Sequence, residues 1–325
     1  MQALVTGAAG FIGSHLSKKL ESLGYDLVLI DNFSRGKQKY LDYLGVKTEC
    51  LNHDLKDIGV SKVWTKDIDV VFHTACRIGG EQFLHGSPQN ELSALQENLL
   101  IDTNLFKSCL QNNVKKIVYT SSVSVYNTHK QYFGRGVFSE QNLENDFIDP
   151  EGGYGWAKFI GEKQLGYMDK MGTKVGVARI FKSYGPCDDY SEESGQVVCS
   201  LMRKAIQYPL QPFVVWGDGS VTRNLFYIDD LVEGLIKLSK YKKSLTVNFG
   251  GKEEVSIKKL AEQIVLLSGK EMKIKHETSK QKTQSPWYRI PDITRAKQKL
   301  KWEPKIPLYT GLQKTYQWMQ KEFGA

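Results

Sequence analysis

The start of the chain restricts the possible fold more than any other segment. An apolar run at 2–6 leads into a glycine-rich turn, and the turn opens onto an amphipathic pattern typical of a helix. Gly7, Gly10 and Gly13 follow the spacing Gly-x-x-Gly-x-x-Gly. Gly7 permits a tight turn, Gly10 lets the backbone approach a pyrophosphate, and Gly13 lets the helix pack closely on the strand. The pattern predicts a strand, a phosphate-binding turn and a helix.

An acidic residue follows the second apolar run. This run covers 25–30, and Asp31 comes directly after it. An acid at this point accepts hydrogen bonds from the adenosine ribose hydroxyls and repels a 2′-phosphate, while the pyrophosphate lies on the N–H groups of the helix N-terminus. We therefore predict that the chain binds NAD in preference to NADP.

The charge of the chain does not indicate a nucleic-acid partner. The net charge is +8, but the lysines are dispersed and lack interleaved aromatic residues. Such a surface is solvated and suits an anionic substrate. No run reaches the roughly 18 apolar residues that span a bilayer. The first predicted core strand begins at residue 2, which leaves no room for a signal peptide, so we expect a cytoplasmic protein without membrane or nucleic-acid partners.

The cysteines and histidines do not predict a metal site. The five cysteines are scattered without a Cys-x-x-Cys pair, so we expect buried free thiols. His73 lies in a predicted buried strand and is expected to be a core histidine, whereas His85 lies in an open loop and is expected to be solvated. The cysteines are Cys50, Cys76, Cys109, Cys187 and Cys199.

Strand and helix patterns alternate through the first half of the chain. This alternation predicts an α/β fold, with a doubly wound parallel sheet that binds ligands beyond the carboxyl ends of its strands. After about residue 182, turn-rich segments lead into a helix at 228–240, a strand at 245–249 and helices at 256–268 and 308–322, which predict a smaller, interwoven C-terminal substrate domain. The predicted strands are 2–6, 26–30, 47–51, 69–75, 116–121 and 174–181, and the helices between them are 11–23, 92–113 and 154–171.

A tyrosine and a lysine are spaced to share one face of a predicted helix. Tyr154 and Lys158 are four residues apart, and Ser122 ends a predicted strand at the sheet edge where ligands bind. A free phenol, with a pKa of about 10, is a weak base at neutral pH. A nearby ammonium and a cationic nicotinamide both favour the phenolate, which suits Tyr154 to acid–base catalysis.

These motifs together resemble the extended short-chain dehydrogenase/reductase family, specifically its NAD-dependent nucleotide-sugar epimerases and dehydratases. The resemblance spans nearly the whole chain and implies the Rossmann fold. It further implies an NAD-binding domain of 1–181 plus about 226–250, and a nucleotide-sugar-binding domain of about 182–225 plus 251–325. The motifs are Thr-Gly-x-x-Gly-x-x-Gly at 6–13, Ser-Ser-Val-Ser-Val-Tyr at 121–126, Tyr-x-x-x-Lys at 154–158, Tyr-Gly-Pro at 184–186, Trp-Gly-Asp-Gly at 216–219 and Arg-Ile-Pro-Asp at 289–292.

The resemblance implies a role for each matching residue. Tyr154 removes the sugar hydroxyl proton, Lys158 holds the nicotinamide ribose, and Ser122 hydrogen-bonds the reacting oxygen; Ser124 completes the candidate catalytic set. The residues implied to bind NAD are Gly7, Gly10, Phe11, Ile12, Gly13, Asp31, Asn32, Asp54, Leu55, Ala75, Tyr154 and Lys158. Those implied to bind a UDP- or GDP-linked sugar are Arg77, Gly79, Gly80, Lys182, Trp216, Arg223 and Arg289.

The residues after Ser122 distinguish members of the family. The 4,6-dehydratases carry Asp-Glu directly after this serine, and the decarboxylating xylose synthases carry Glu at the second position. This chain has Val123 and Ser124. Without an acid to protonate a leaving hydroxyl, water elimination lacks a catalyst. We therefore predict that the chain is not a 4,6-dehydratase.

A second comparison separates C4 epimerisation from C3 and C5 epimerisation. The segment 77–80 resembles the glycine pair of the GDP-mannose 3,5-epimerases, which use a cysteine and a lysine as opposed acid and base. Here Ser124 stands at the cysteine position, and no lysine lies between Lys182 and Lys204. The pattern is closer to the 4-epimerases of UDP-sugars and UDP-glucuronate, although Lys182 replaces the asparagine that the family places near the diphosphate.

We therefore predict an NAD-dependent nucleotide-sugar 4-epimerase, a cytoplasmic isomerase. A 3,5-epimerase and a nucleotide-sugar C4 dehydrogenase or reductase are the enzymatic alternatives, and an NAD-sensing binding protein is the non-enzymatic one. The family resemblance also implies a homodimer, in which the helices at 92–113 and 154–171 pair across a two-fold axis.

Overall fold

The computed structural model of the chain describes residues 1–80, 84–133, 136–192, 195–277 and 289–324. None of the helices in these ranges is both long enough and apolar enough to cross a bilayer. The helices are α1 Phe11–Ser22, α2 Gln38–Leu44, α3 Ile58–Trp64, α4 Pro88–Gln111, α5 Thr128–Phe133, α6 Asn142–Asn145, α7 Gly152–Lys170, α8 Val197–Gln207, α9 Ile228–Lys240, α10 Ile257–Ser268, α11 Thr294–Leu300 and α12 Leu308–Glu322.

The described strands include those of a large parallel sheet. The strands are β1 Gln2–Thr6, β2 Asp26–Asp31, β3 Cys50–Asn52, β4 Val70–His73, β5 Lys116–Ser122, β6 Val137–Phe138, β7 Lys174–Ile180, β8 Lys182–Tyr184, β9 Val214–Trp216, β10 Thr222–Arg223, β11 Leu225–Tyr227, β12 Leu245–Phe249, β13 Val255–Ser256, β14 Lys275–Glu277 and β15 Ile290–Pro291. Seven of these pair in the order β12-β7-β5-β4-β1-β2-β3, and every pairing between neighbours is parallel.

Helices cover both faces of this sheet. Side chains alternate along each strand, so Val5 packs with Leu16 of α1 on one face, while Leu4 packs with Leu105 of α4 and Leu165 of α7 on the other. The α/β class, the parallel sheet and the helices on both of its faces confirm the predicted fold.

At the starts of β3 and α4, side chains cap backbone groups and shift the predicted bounds. β3 begins at Cys50 instead of 47, because Glu21 accepts hydrogen bonds from the backbone N–H groups of Lys47 and Thr48, both at 2.9 Å. α4 begins at Pro88 instead of 92, because the Ser87 hydroxyl caps its first turn. Proline and a serine cap are the ordinary start of a helix.

The thiols are less uniformly buried than predicted. All five are free, and Cys109, Cys187 and Cys199 are buried as expected. Cys50 and Cys76 are only half-buried, so the prediction of burial is wrong for them. Cys76 lies in the loop after β4, where a ligand cavity opens.

The chain leaves the central sheet after β7 and returns to it once. β8 pairs with β11, β9 with β14 and β10 with β13, and α8 and α12 pack beside these short pairs. β12 then joins the sheet edge beside β7. Late in the chain, β15 pairs with β6, so the C-terminal region also contacts the segment that follows β5.

Candidate active site

A cavity of about 770 Å³ lies beyond the carboxyl ends of the central strands. Its wall includes Gly7 after β1, Asp31 at the end of β2, Thr74 after β4 and Ser122 at the end of β5. Residues that follow β7 also line the cavity, including Lys182 of β8 and Arg289. Parallel strands bring these distant segments together at one edge, as the sequence predicts.

The glycine-rich turn is built for close backbone approach. Gly7 has a φ of +68°, and a Cβ atom there would lie 2.7 Å from the Cα of Ala75. A Cβ at Gly13 would lie 2.0 Å from the Gly7 carbonyl oxygen. No side chain caps α1 at Gly10. The first-turn N–H groups therefore face a space that fits a pyrophosphate.

Asp31 is held in place by the backbone around it. Its carboxylate accepts hydrogen bonds from the N–H of Ala9 at 3.0 Å and of Phe33 at 2.8 Å. Burial raises the pKa of Asp31 above its ordinary value, and the backbone donors partly oppose this rise. Beside it, Asn32 donates to Asp54 at 3.2 Å. These fixed acceptors at the end of β2 fit the adenosine half of a dinucleotide.

Tyr154 lies against Ser122 in the wall of the cavity. Tyr154 is 5% exposed, and both side chains line the cavity. Burial raises the pKa of Tyr154 well above its ordinary value, while the Ser122 hydroxyl group near it acts to lower this pKa. The ligand-free tyrosine is therefore protonated at neutral pH, so its activation needs a positive charge brought close to it.

Lys158 lies one helical turn beyond Tyr154 and is fully buried. Its Nζ atom is 4.6 Å from the ring centroid of Tyr119 and 5.9 Å from that of Tyr154. Among the described residues it has no hydrogen-bond partner. A buried ammonium without a partner costs free energy, and such groups are typical of sites that a ligand completes.

A chain of buried hydrogen bonds supports the floor of the site. His73 bonds Thr6 at 2.7 Å through Nδ1 and Asp102 at 2.9 Å through Nε2. The Tyr119 hydroxyl donates to the other oxygen of Asp102 at 2.6 Å. Burial lowers the pKa of His73. His73 is thus the satisfied core histidine that the sequence predicts.

Sequence reasoning missed a buried carboxylate, Glu151, in the cavity wall. It is 4% exposed and accepts hydrogen bonds from Ser124 at 2.9 Å, Tyr132 at 3.0 Å and Arg289 at 2.5 Å. Burial alone would raise the pKa of Glu151, but Arg289, His85 and the hydroxyl donors outweigh it, so the pKa is lowered. The premise that no acid lies near Ser122 is therefore wrong. An acid three residues before Tyr154 was the available signal.

His85 is not the solvated loop residue that we predicted. Its side chain is 15% exposed, lines the cavity and bonds Glu91 at 2.7 Å. Glu91 also accepts a hydrogen bond from the N–H of Gly153 at 2.5 Å, near the start of α7. The loop is therefore tied to the helix that carries Tyr154, which explains why His85 is withdrawn from solvent.

The segment 77–80 is fixed by two amides. Asn98 accepts a hydrogen bond from the N–H of Arg77 at 2.7 Å and donates one to its carbonyl oxygen at 3.0 Å. Gln196 donates to the Gly79 carbonyl at 3.4 Å and accepts a hydrogen bond from Lys182. Burial raises the pKa of the neighbouring Asp188 to about 7. Asp188 and Gln196 also lie in the cavity wall, and the sequence did not indicate either.

The structure brings most of the candidate residues to one cavity. Among the described residues, Lys158, Trp216 and Arg223 are the candidates outside its wall. Trp216 is 55% exposed, and Arg223 donates to the carbonyl oxygen of Thr222 beside it. The candidates in the wall are Gly7, Gly10, Phe11, Ile12, Gly13, Asp31, Asn32, Asp54, Leu55, Ala75, Arg77, Gly79, Gly80, Ser122, Ser124, Tyr154, Lys182 and Arg289.

Comparisons with known proteins agree with this geometry. GDP-mannose 3,5-epimerase 1 of Oryza sativa subsp. indica is 30% identical over 323 residues, which cover 98% of this chain and 81% of that protein. The crystal structure of UDP-glucose 4-epimerase from Thermotoga maritima with UDP-glucose is 25% identical, has a TM-score of 0.86, and the match covers 99% and 100% of the two chains. UDP-glucuronic acid 4-epimerase from Bacillus cereus in complex with NAD is 26% identical, with a TM-score of 0.82 and coverage of 99% and 97%.

The profile of the NAD dependent epimerase/dehydratase family matches residues 3–250, which is more than half of the chain. The glycine turn, Asp31 and Tyr154 all lie within this match. NAD is accordingly the cofactor. The chain belongs to the NAD dependent epimerase/dehydratase family of extended short-chain dehydrogenases/reductases.

Proposed function

We propose that this protein is a nucleotide-sugar 4-epimerase, which inverts C4 through a transient 4-keto sugar. The pairing of Tyr154 with Ser122, in the same cavity as the glycine turn and Asp31, carries the proposal. The likeness to structures titled as UDP-glucose and UDP-glucuronic acid 4-epimerases supports it. We also propose the two-domain division predicted above, which the return of β12 to the central sheet supports.

Each residue in the proposed reaction has a defined task. Bound NAD supplies a reversible acceptor for one hydride. Tyr154 takes the proton from the C4 hydroxyl of the sugar, and Ser122 holds the same oxygen while it becomes a carbonyl. Tyr154 then returns the proton after the sugar has turned over in the cavity. Lys158 and the positively charged nicotinamide together would favour the phenolate.

The test is proton NMR of the purified protein with UDP- and GDP-sugars in heavy water. A new C4 stereoisomer without carbon-bound deuterium indicates that the same hydride returns, as the proposal requires. Deuterium at C3 or C5 contradicts it and favours a 3,5-epimerase. No reaction with any sugar, together with oxidation of added NADH by a 4-keto sugar, would identify a reductase instead. No turnover in either assay would leave an NAD-sensing binding protein.

One observation favours the 3,5-epimerase as a second candidate. The ionised Glu151, which the sequence did not reveal, and the ammonium of Lys182 line the same cavity, so the chain holds a carboxylate and an amine that could act as acid–base groups. The likeness to GDP-mannose 3,5-epimerase 1 supports the same reading. The positions of deuterium in the product distinguish the two reactions.

We further propose a homodimer formed by α4 and α7. These helices pack on each other and expose apolar side chains: Leu92 is 53%, Leu100 46% and Tyr167 67% exposed. A second copy of the same helix pair would cover them. Light scattering of the holoenzyme should give twice the monomer mass, and a monomeric mass contradicts the proposal.

The cofactor preference predicts an effect of substituting Asp31. Asp31→Asn removes the charge that opposes a 2′-phosphate, so the ratio of NADP to NAD affinity should rise about tenfold or more. The measurement is titration of both cofactors by calorimetry. Asp54→Asn is the matched control, because it changes a carboxylate in the same cavity wall, and the family resemblance implies that this carboxylate binds the adenine common to both cofactors. An unchanged ratio in Asp31→Asn would contradict the role of this residue.

The burial of Lys158 without a hydrogen-bond partner among the described residues predicts that replacing it weakens cofactor binding without lowering stability. Lys158→Met removes a buried cation without a hydrogen-bond partner, so the ligand-free variant should unfold at the same temperature as the wild type or higher. The rise of Tm on adding NAD should shrink, because the ribose loses its ammonium partner. Thermal unfolding with and without NAD measures both effects. Lys163→Met, at an exposed position on α7, should change neither quantity, and an equal NAD response in both variants would refute the assignment.

A further inference from the structure

Ser124 lies beside the serine that we assign to the reacting oxygen. It belongs to a short 3₁₀ turn, Val123–Val125, directly after β5. Its N–H donates to the Ser122 hydroxyl oxygen at 3.1 Å, and its carbonyl accepts from the N–H of Glu151 at 2.8 Å. Both serines line the cavity, so a sugar whose C4 oxygen lies at Ser122 brings its C3 hydroxyl group or the C6 group on C5 toward Ser124.

The Ser124 hydroxyl group already donates its proton in a hydrogen bond to Glu151. The bond is 2.9 Å long and both side chains are buried. Three donors converge on the Glu151 carboxylate, and its lowered pKa keeps it ionised at neutral pH. An ionised carboxylate has no proton to donate. Ser124 must therefore donate to Glu151, and only its lone pairs remain for a ligand in the cavity.

We propose that Glu151 sets the sugar specificity of the site, because it fixes Ser124 as a hydrogen-bond acceptor for a neutral C6 hydroxyl group. The proposal rests on the proposed function, in which C4 lies at Tyr154. A hexose with a C6 hydroxymethyl group can donate to Ser124. A uronic acid places a C6 carboxylate, itself only an acceptor, against the Ser124 oxygen and the negative charge of Glu151. Two buried hydrogen-bond acceptors that meet without a proton between them weaken binding, because neither is satisfied.

The positively charged side chains of Arg289, Arg77 and Lys182, which line the cavity, each already lie near a carboxylate. Arg289 pairs with Glu151, and Arg77 pairs with Glu97 at 3.2 Å. Lys182 donates to Gln196 and lowers the pKa of the buried Asp188, against the larger upward effect of burial. A C6 carboxylate would compete with these acids for their partners, whereas a C6 hydroxyl group leaves the pairs intact.

The test compares nucleotide sugars that differ only at C6. The pairs are UDP-glucose with UDP-glucuronate and GDP-mannose with GDP-mannuronate, and dissociation constants are measured by calorimetry on the holoenzyme. The wild type should bind the neutral member of the accepted pair about tenfold or more tightly. Glu151→Gln should reduce this preference about tenfold, because the amide can donate to Ser124 and free its proton for a carboxylate.

Tyr132→Phe is the matched control. It removes another donor to Glu151 without changing the direction of the Ser124 bond, so both members of a pair should be affected equally. Ser124→Ala provides a second variant if Glu151→Gln does not fold, and it should also reduce the preference, because it removes the acceptor for the C6 hydroxyl group. Preference of the wild type for the uronate, or an unchanged ratio in Glu151→Gln, overturns the proposal. Because the affinity ratio is measured at equilibrium whether or not C4 is inverted, absence of C4 inversion would refute the proposed function while leaving this result readable.

Discussion

Tyr154→Phe should lower kcat for C4 epimerisation by about 10²–10⁴-fold and leave NAD binding nearly unchanged. The substitution removes one oxygen atom, the atom that we assign to proton transfer at the sugar. The measurement is the pre-steady-state rate of NADH formation with substrate in excess. In the wild type this rate should increase with pH, because burial holds the Tyr154 pKa well above its ordinary value and the phenolate is the active form.

A second buried tyrosine provides the control for this substitution. The Tyr184 hydroxyl donates to the Leu308 carbonyl at 2.9 Å, between β8 and α12. Tyr184→Phe removes the same atom and should cost about 1 kcal/mol of stability without a large change in kcat. If the two variants lose activity equally, Tyr154 has a structural role and the proposed reaction loses its base.

Glu162→Ala should lower the free energy of unfolding by about 3–5 kcal/mol, the largest stability effect that we expect for a single substitution here. Glu162 accepts hydrogen bonds from Arg179 at 2.7 and 3.0 Å and from Ser121 at 2.6 Å. Both members of the ion pair are less than a tenth exposed. Truncation of the acid leaves a buried guanidinium without its counter-ion, and urea unfolding measures the loss.

An exposed ion pair shows whether burial is the cause. Lys252 pairs with Glu303 at 2.8 Å, with side chains that are 48% and 35% exposed. Lys252→Ala should change the free energy of unfolding by less than about 1 kcal/mol, because water screens and replaces the lost contact. Similar losses in Lys252→Ala and Glu162→Ala would contradict the argument from burial.

The fold was predictable where it depends on local pattern. The glycine turn, the strand before it and Asp31 are close in sequence, and each position has a steric or chemical reason for its residue type. The bounds of β3 were not predictable, because they depend on the side chain of Glu21 in α1. A hydrophobic pattern does not show that a side chain will take the backbone N–H groups that a strand would otherwise use.

Most of the candidate residues named from the sequence line the cavity, but the charged groups that surround them were not predictable. The sequence argument considered an acid only at the positions directly after Ser122, whereas the side chain of Glu151 reaches Ser124 from the start of α7. The tie between His85 and Glu91 likewise depends on how a loop folds against a helix. Pairings of this kind form only when the sheet has brought distant segments together, so one sequence does not reveal them.

Helix α7 carries the proposed chemistry and the strongest anchor of the fold on a single line of side chains. Tyr154, Lys158 and Glu162 are spaced by four residues, so they lie on one face. Gly161 on the same helix leaves no room for a Cβ atom, which would lie 2.5 Å from the Tyr119 hydroxyl oxygen. The rotation of α7 about its axis therefore places both the proposed catalytic side chains, Tyr154 and Lys158, and the ion-pairing carboxylate of Glu162. A substitution that rotates this helix would disturb catalytic alignment and stability at once.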